Sequence, residues 1–254
     1  KPYVTDKIPV PIKGPQFRSG DFDFFSDGTT AAFSTWNGEV WIAKGIDDDL
    51  DEIRWHKFAA GLFETLGICI ADNKIYVIGK DQITRLHDLN NDGEADHYEN
   101  FNNDIHMTKN FHEFVYGLRQ DAQGNFYFGK AAPVRGGGRG FEHTTKHSGA
   151  ILKVSADGEN IEVFANGIRS ACGIGVSPDG IATSGENEGT FMPACSIPYT
   201  KGGTFHGVCN EHNGKKREDA YSKPLCWLPM NFDNSGGGQV WVPDDRWGPF
   251  KGDM

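Results

Sequence analysis

The sequence predicts an all-β chain built as a β-propeller, and three observations predict it. A segment recurs along the chain: Phe58-Ala59-Ala60-Gly61-Leu62 leads to Gly67-Ile68, and Phe164-Ala165-Asn166-Gly167-Ile168 leads to Gly173-Ile174. Twelve residues after Gly67 and Gly173 comes a second glycine, Gly79 and Gly185, and the pair Gly117 and Gly129 supplies a third copy. The period of about 50 residues lies in the blade range of a propeller. Short apolar or aromatic runs also alternate with turn signals, as strands joined by hairpins do. Finally, no amphipathic helix of three turns or more can be drawn on the sequence.

Taken in order, Lys1–Arg18 carries Pro2, Pro9, Pro11, Gly14 and Pro15 and reads as an extended lead-in, so the domain is expected to run over residues 19–254. The first blade follows as Phe22–Phe25, Ala31–Ser34, Val40–Ala43 and Ile53–Phe58. Turns at Ser26-Asp27-Gly28 and Asn37-Gly38 separate its strands, and Asn-Gly predicts a type I′ turn with positive φ at both positions. Asp47–Asp51 is an acidic loop. The second blade runs from Gly67 through Lys74–Val77 and Ile83–Leu86 to Tyr98–Phe101. A third starts at Phe114 and closes at Ile161–Phe164, with the Gly-rich insertion Arg135–Gly140 inside it. The fourth, from Gly173, is looser, with Pro193, Pro198 and Gly202-Gly203; a fifth is expected near Gly236, with Gln239–Val242 as a strand. Six blades at this period need roughly 300 residues. The expectation is therefore a six-bladed propeller of which this chain covers about four to five blades, incomplete at its C-terminus.

Composition narrows the function classes. The 254 residues are 37% hydrophobic and 24% charged, with 33 Gly, 18 Phe, 7 Tyr and 6 Trp, which suits packed sheets with many turns. A formal charge of −10 repels a nucleic-acid backbone, so no nucleic-acid partner is expected. No apolar run approaches the roughly 20 residues of a membrane span. Nor does Lys1 open a signal peptide; for an exported protein that segment has already been removed. The five cysteines form no CxxC pair. Cys69 and Cys172 sit in strand patterns as buried thiols, while Cys195, Cys209 and Cys226 are placed in loops, where one disulfide is open to them. No c-type haem attachment motif is present.

Several groups could carry chemistry. Asp88-Leu89-Asn90-Asn91-Asp92-Gly93-Glu94-Ala95-Asp96-His97-Tyr98-Glu99 fits the calcium-loop pattern, with Asp88, Asn90, Asp92, Glu94, Asp96 and Glu99 as candidate ligands. A metal-free hairpin turn explains Asn-Asp-Gly equally. His112-Glu113 precedes the first strand of the third blade, where a histidine can serve as a general base or lie on the surface. Arg169 stands in the matching place of the fourth blade and could bind a carboxylate, stabilise negative charge, or form an ordinary salt bridge. Glu186-Asn187-Glu188-Gly189 offers oxygens to a hard cation or is an acidic turn. Arg135–Gly140 could grip an anion or move as a loop. His143 and His147 are four apart, but no helix surrounds them to make a zinc pair.

With these residues in view, the chain resembles the soluble pyrroloquinoline-quinone (PQQ) sugar dehydrogenases, including the glucose/L-sorbosone dehydrogenase group of six-bladed propellers. It is more similar still to bacterial exported "membrane-bound dehydrogenase domain" proteins, which often carry a c-type haem domain further along. The marker segments are Asp81–Asp88 with Asn91–Asp96, His112-Glu113-Phe114, and Asp233–Val240 followed by Asp245-Arg246-Trp247-Gly248-Pro249. The catalytic histidine of the quinone enzymes falls on His112, although the Gly pair after it is here Glu113-Phe114. Their Gly-x-Arg-Asn-x-x-Gly falls on Gly167–Gly173, which aligns the arginine with Arg169 and puts Ser170 in place of the asparagine. Their Glu-His-Gly loop is matched loosely by Glu186-Asn187-Glu188-Gly189.

The resemblance implies an exported quinone-dependent oxidoreductase, periplasmic or extracellular, acting on a sugar or related alcohol or aldehyde. His112 and Arg169 would be catalytic, and Arg169, Ser170, Glu186 and Asn187 would contact PQQ. Calcium would be a second cofactor. Electrons would leave to a c-type cytochrome, or to a c-type haem in a region outside this sequence. Two other readings stay open: a non-catalytic carbohydrate-binding propeller, and a polysaccharide lyase or hydrolase using His112 with Glu113.

Overall fold

The computed structural model describes residues 5–12, 16–47, 49–190, 192–232 and 235–254. Pro2, Gly14, Pro15, Asp48 and the marker residues Asp233 and Asn234 lie outside them. Apart from one irregular 3-10 stretch, Asp245–Phe250, the regular structure among the described residues is all β. Four sheets form, each begun by a new first strand and mainly antiparallel, and the arrangement is that of a β-propeller with four blades. The chain divides into two compact units with two blades each, save that Ile83, Phe101 and Asn102 of the second blade fall in the second unit.

The first unit comprises residues 1–79 and 84–100. Its first blade is β1 (Ser19–Phe24), β2 (Thr30–Thr35), β3 (Val40–Lys44) and β4 (Arg54–Ala59), in that spatial order. The second is β5 (Gly67–Ala71), β6 (Lys74–Ile78), β7 (Ile83–His87) and β8 (His97–Asn102), again in order. The opening strands β1 and β5 pack side by side. Ala32, Val40, Ile42, Ile68, Val77 and Leu86 form the core, the inward half of each alternating pattern. Asp72 and Asn73, both at positive φ (49° and 56°), make the two-residue β5–β6 turn. At Asn37-Gly38 the expected type I′ turn is not formed. Only Gly38 has positive φ (81°), and its amide donates to the Thr35 carbonyl at 2.9 Å, closing a longer loop over Trp36 and Asn37.

The second unit comprises residues 80–83 and 101–254. The third blade is β9 (Val115–Gln120), β10 (Phe126–Lys130), β11 (Ala150–Val154) and β12 (Ile161–Asn166). The fourth is β13 (Ala171–Val176), β14 (Ala182–Glu186), β15 (Cys195–Ile197) and, as its last strand, β18 (Cys226–Leu228), while β16 (Tyr199–Thr200) also pairs with β14. β17 (Thr204–Phe205) leaves this blade and joins the edge of β12 in parallel, which is why the fourth blade reads as loose. The glycine repeat has a steric cause here. Gly117 and Gly173 take positive φ (62° and 76°) where the β9–β10 and β13–β14 registers shift, and the residues after them, Leu118 and Ile174, are wholly buried. A Cβ on Gly129 would sit 2.6 Å from Ala171.

Two sequence expectations are corrected in this unit. Gln239–Val242 is not a strand: Gln239 lies against Gly175, the preceding Gly236, Gly237 and Gly238 lie against Gly185 and Gly173, and Val242 exchanges backbone hydrogen bonds with Gly252 and Asp253. Cys195 and Cys226 stand on strands, not in loops, and no disulfide links any of the five cysteines.

Candidate functional site

The stretch ahead of β9 places two neighbouring side chains in different surroundings. Glu113 is entirely buried, and its carboxylate takes Lys130 Nζ at 2.5 Å, the Thr108 amide at 2.5 Å and Ser148 Oγ at 3.1 Å. Burial pushes this carboxyl up, but the Lys130 ammonium and the hydrogen bonds outweigh it and hold Glu113 below the usual carboxylate range. His112 is half-buried between Phe111 and Phe114. Its Nδ1 lies 3.1 Å from the Ala132 carbonyl. A carbonyl only accepts, so Nδ1 carries the proton and the neutral ring keeps its lone pair at Nε2. No hydrogen-bond partner for Nε2 occurs among the described residues. Burial and the Arg169 charge together depress the His112 pKa, with the Ala132 bond opposing them, so the ring is neutral near pH 7.

Arg169 comes from the β12–β13 loop. Its carbonyl accepts from the Ala132 amide at 2.9 Å, so a single residue, Ala132, ties both His112 and Arg169. Arg169 is 8% exposed, yet among the described residues its buried Nε has no partner and Nη2 has only the Gly138 carbonyl at 3.3 Å. Glu186, expected among the quinone contacts, does other work. Its carboxylate accepts from the amides of Arg169 (2.7 Å), Ser170 (2.9 Å) and Asn187 (2.8 Å), holding the loop that presents Arg169. Burial raises its pKa to about 7 against those three amides. Ser170 is likewise buried, with Oγ 3.4 Å from Cys172 Sγ and a bond to Tyr116. Asn187 Oδ1 accepts from Cys172 Sγ at 3.7 Å.

The loop that carries the calcium pattern lies in the first unit. Asp88 accepts from the amides of Asp92 (3.2 Å) and Gly93 (3.0 Å), Asp92 from Glu94 (2.9 Å), and Asp96 from Leu89 (2.7 Å) and Asn90 (3.2 Å). Asn90 points its amide nitrogen at Asp92 (3.0 Å) and Asp96 (3.3 Å), putting a donor where a cation would need an acceptor. Glu99 is not part of this shell: as a β8 residue it pairs with His87 (2.6 Å) and Arg85 (3.5 Å) on β7. Glu94 is exposed and acts on His56 through its charge alone. Among the described residues no three His, Cys, Asp or Glu side chains gather as a metal site. The donor set fits a self-satisfied turn, and no cation chemistry is derived from it.

Two participants, Ala132 and Lys130, were not visible from sequence, and a third, Arg139, only as part of a loop that could grip an anion. Ala132 acts through its backbone and carries no signal in its side chain. Lys130 reads as an ordinary polar position of a strand. Arg139, on the Gly-rich insertion, approaches Arg169 across Gly189: a Cβ there would lie 2.5 Å from Arg169 Nε and 3.0 Å from Arg139 Nη1.

The fold and these residues define a β-propeller with a polar site at the start of its third and fourth blades. Solved structures to which the chain is similar include the PQQ-bound aldose sugar dehydrogenase (Adh) of Streptomyces coelicolor, with 13% identity and a TM-score of 0.66 over 93% of this chain and 75% of that one. The apo soluble aldose sugar dehydrogenase (Asd) of Escherichia coli matches with 10% identity and a TM-score of 0.65 over 92% and 78%. A calcium structure of a Trichoderma reesei Carbohydrate-Active Enzymes Family AA12 protein matches with 13% identity and a TM-score of 0.60 over 77% of this chain and 56% of that one. The chain thus spans just over half the length of the AA12 structures it matches. At these identities the likeness is one of fold. No protein-family model and no curated protein sequence matches the chain. No helix among the described residues is long and apolar enough to cross a membrane.

Proposed function

We propose that the chain is the propeller of a quinone-dependent oxidoreductase acting on a sugar or a related alcohol or aldehyde. The observation that carries this reading is His112: one ring nitrogen held by the Ala132 carbonyl, the other bare and basic, with Arg169 in electrostatic reach. PQQ, when bound, supplies a two-electron acceptor for hydride. Arg169 would hold it, because the unpartnered buried Nε calls for an acceptor such as a carboxylate or a quinone oxygen. His112 Nε2 takes the hydroxyl proton of the substrate, and the Ala132 bond fixes the ring while it does so. The Arg169 charge keeps His112 unprotonated beforehand and stabilises negative charge on the reacting oxygen.

The finer parts of the reading rest on the marker segments: a six-bladed, exported protein, periplasmic or extracellular, passing electrons to a c-type cytochrome or a linked haem domain. The lyase or hydrolase alternative loses its second residue, since Glu113 is buried against Lys130. The test is reconstitution with PQQ and dye reduction over a panel of aldoses, alcohols and aldehydes. Turnover is expected, and His112→Ala should lower it by roughly 10²–10⁴-fold with the melting temperature unchanged. Sugar binding without turnover would select the carbohydrate-binding module instead. We read the Asp88–Glu99 loop as a turn; a melting temperature raised by calcium over chelator would restore it as a calcium site.

A further inference from the structure

We infer that Arg139, carried on the Gly-rich insertion of the third blade, closes a two-guanidinium clamp with Arg169 around a carboxylate of the bound ligand. The two side chains come from separate loops, and Arg139 Nη1 and Arg169 Nε both lie within 3.0 Å of the point where a Gly189 Cβ would be. Neither makes an ion pair among the described residues. Glu186, the acid nearest in influence to Arg169, cannot serve, because its oxygens are turned onto three backbone amides. Two like charges side by side, one of them 8% exposed with an orphan nitrogen, form an arrangement that an added anion relieves.

The backbone around the pair is built to hold it. Gly140 donates to Thr190 Oγ1 at 3.0 Å, fastening the insertion to the loop after β14. Inside the insertion, Gly138 donates to the Arg135 carbonyl at 2.9 Å and Arg135 to the Gly140 carbonyl at 3.2 Å. Gly138 gives its carbonyl to Arg169 and sits at φ 76°, which favours glycine; a Cβ there would stand a tight 3.0 Å from Arg169 Nη2. Gly189, at φ 146°, leaves room for both guanidinium groups. Arginine suits the task because its planar fork meets both oxygens of a carboxylate. The insertion that reads from sequence as a mobile or anion-gripping loop thus has the second role, for a planar, carboxylate-bearing ligand.

Naming that ligand as the quinone rests on the proposed function; the carboxylate class does not. The test is equilibrium binding by the 254-residue chain, followed by calorimetry, of PQQ, its trimethyl ester and galacturonate. Arg139→Gln, at an exposed loop position, should bind PQQ at least about tenfold more weakly, a loss of one carboxylate contact. Its affinity for the ester should equal that of the unsubstituted chain. Equal PQQ affinity in the two proteins would overturn the clamp and leave the proposed function standing. Binding of galacturonate but not PQQ, lost in Arg139→Gln, would keep the clamp and transfer it to an acidic sugar while the quinone reading falls. Binding of none of the three would overturn both.

Discussion

Replacing Glu113 by Ala should destabilise the second unit by about 3–5 kcal/mol, the usual cost of stripping one partner from a buried ion pair. Both side chains of the pair are 0% exposed, with Lys130 Nζ 2.5 Å from the carboxylate. Removing the acid leaves an ammonium with no solvent to turn to, and it also strips the Thr108 amide and Ser148 Oγ of their acceptor. The pair as a whole is worth far less than either half suggests, since two charges had to be desolvated to make it. Glu113→Leu combined with Lys130→Met should therefore recover most of the loss. Urea unfolding measures the global change, and hydrogen exchange over β9 and β10 locates it. A loss below about 1 kcal/mol in Glu113→Ala would refute the reasoning, being the range of an exposed pair. So would a double variant no more stable than the single one.

Acid should destabilise the chain through His147 and His206, both buried and both pushed down by burial to about 4. The unfolded chain takes up these protons near pH 6.5 and the folded one only near 4, so stability falls as pH drops between those values, by a few kcal/mol per histidine at most. His206→Gln should flatten that fall in pH-dependent urea titrations; an unaltered slope would count against it. Glu186 acts with the opposite sign: with a folded pKa of about 7 against an ordinary 4.5, it lowers stability as pH rises across that window. Glu186→Gln should remove this component, seen as a smaller difference in unfolding free energy between pH 5 and pH 8. The acid limb of kcat/KM should lie below pH 6.5, because His112 must be neutral to take a proton and its pKa is depressed; a limb at pH 7 or above would exclude it as the base. Gly38→Ala should cost more than about 1 kcal/mol, since φ is 81° and the added Cβ would fall 1.9 Å from the Leu62 carbonyl oxygen; an unchanged melting temperature would contradict this.

The blades were legible because two local patterns report the same geometry. Alternating apolar residues mark one buried face of each strand, and the recurring glycines mark places where another backbone comes too close for a Cβ. Gly117 against Ile174 and Gly129 against Ala171 show this second cause directly. The errors fall where a local signal was asked to settle a nonlocal matter. Asn37-Gly38 carries the chemistry of a tight hairpin, but Gly38 lies against Leu62, and the loop takes the form that permits this contact. Gln239–Val242 has strand composition, yet a strand exists only where a partner supplies a ladder. Here Gln239 meets Gly175, and Val242 finds only the chain's own Gly252 and Asp253 among the described residues. β17 could not have been assigned to the third blade by any reading of Thr204-Phe205 alone.

The site was legible to a lesser degree, and for a definite reason. Sequence can propose His112 and Arg169 because their side chains carry the chemistry. It cannot show that Ala132 joins them, because every residue has the same amide and carbonyl. The surroundings of the acids are not written in the sequence for a related reason. Glu113, Glu186 and Glu99 look alike as letters, and each is consumed by a different neighbour: a buried lysine, three loop amides, and a cross-strand histidine and arginine. Arg139 and Arg169 then stand beside Gly189 with no carboxylate paired to either among the described residues. A glycine at 189 is then best understood as space kept for the pair. Gly189→Ala therefore gives a second handle on the same arrangement. Its Cβ would meet Arg169 at both Nε and Cδ, at 2.5 and 2.7 Å, and it should displace Arg169 and weaken PQQ binding even though no charge is changed. Retained PQQ affinity in that variant would mean that the ligand sits elsewhere and that Gly189 serves only its own backbone.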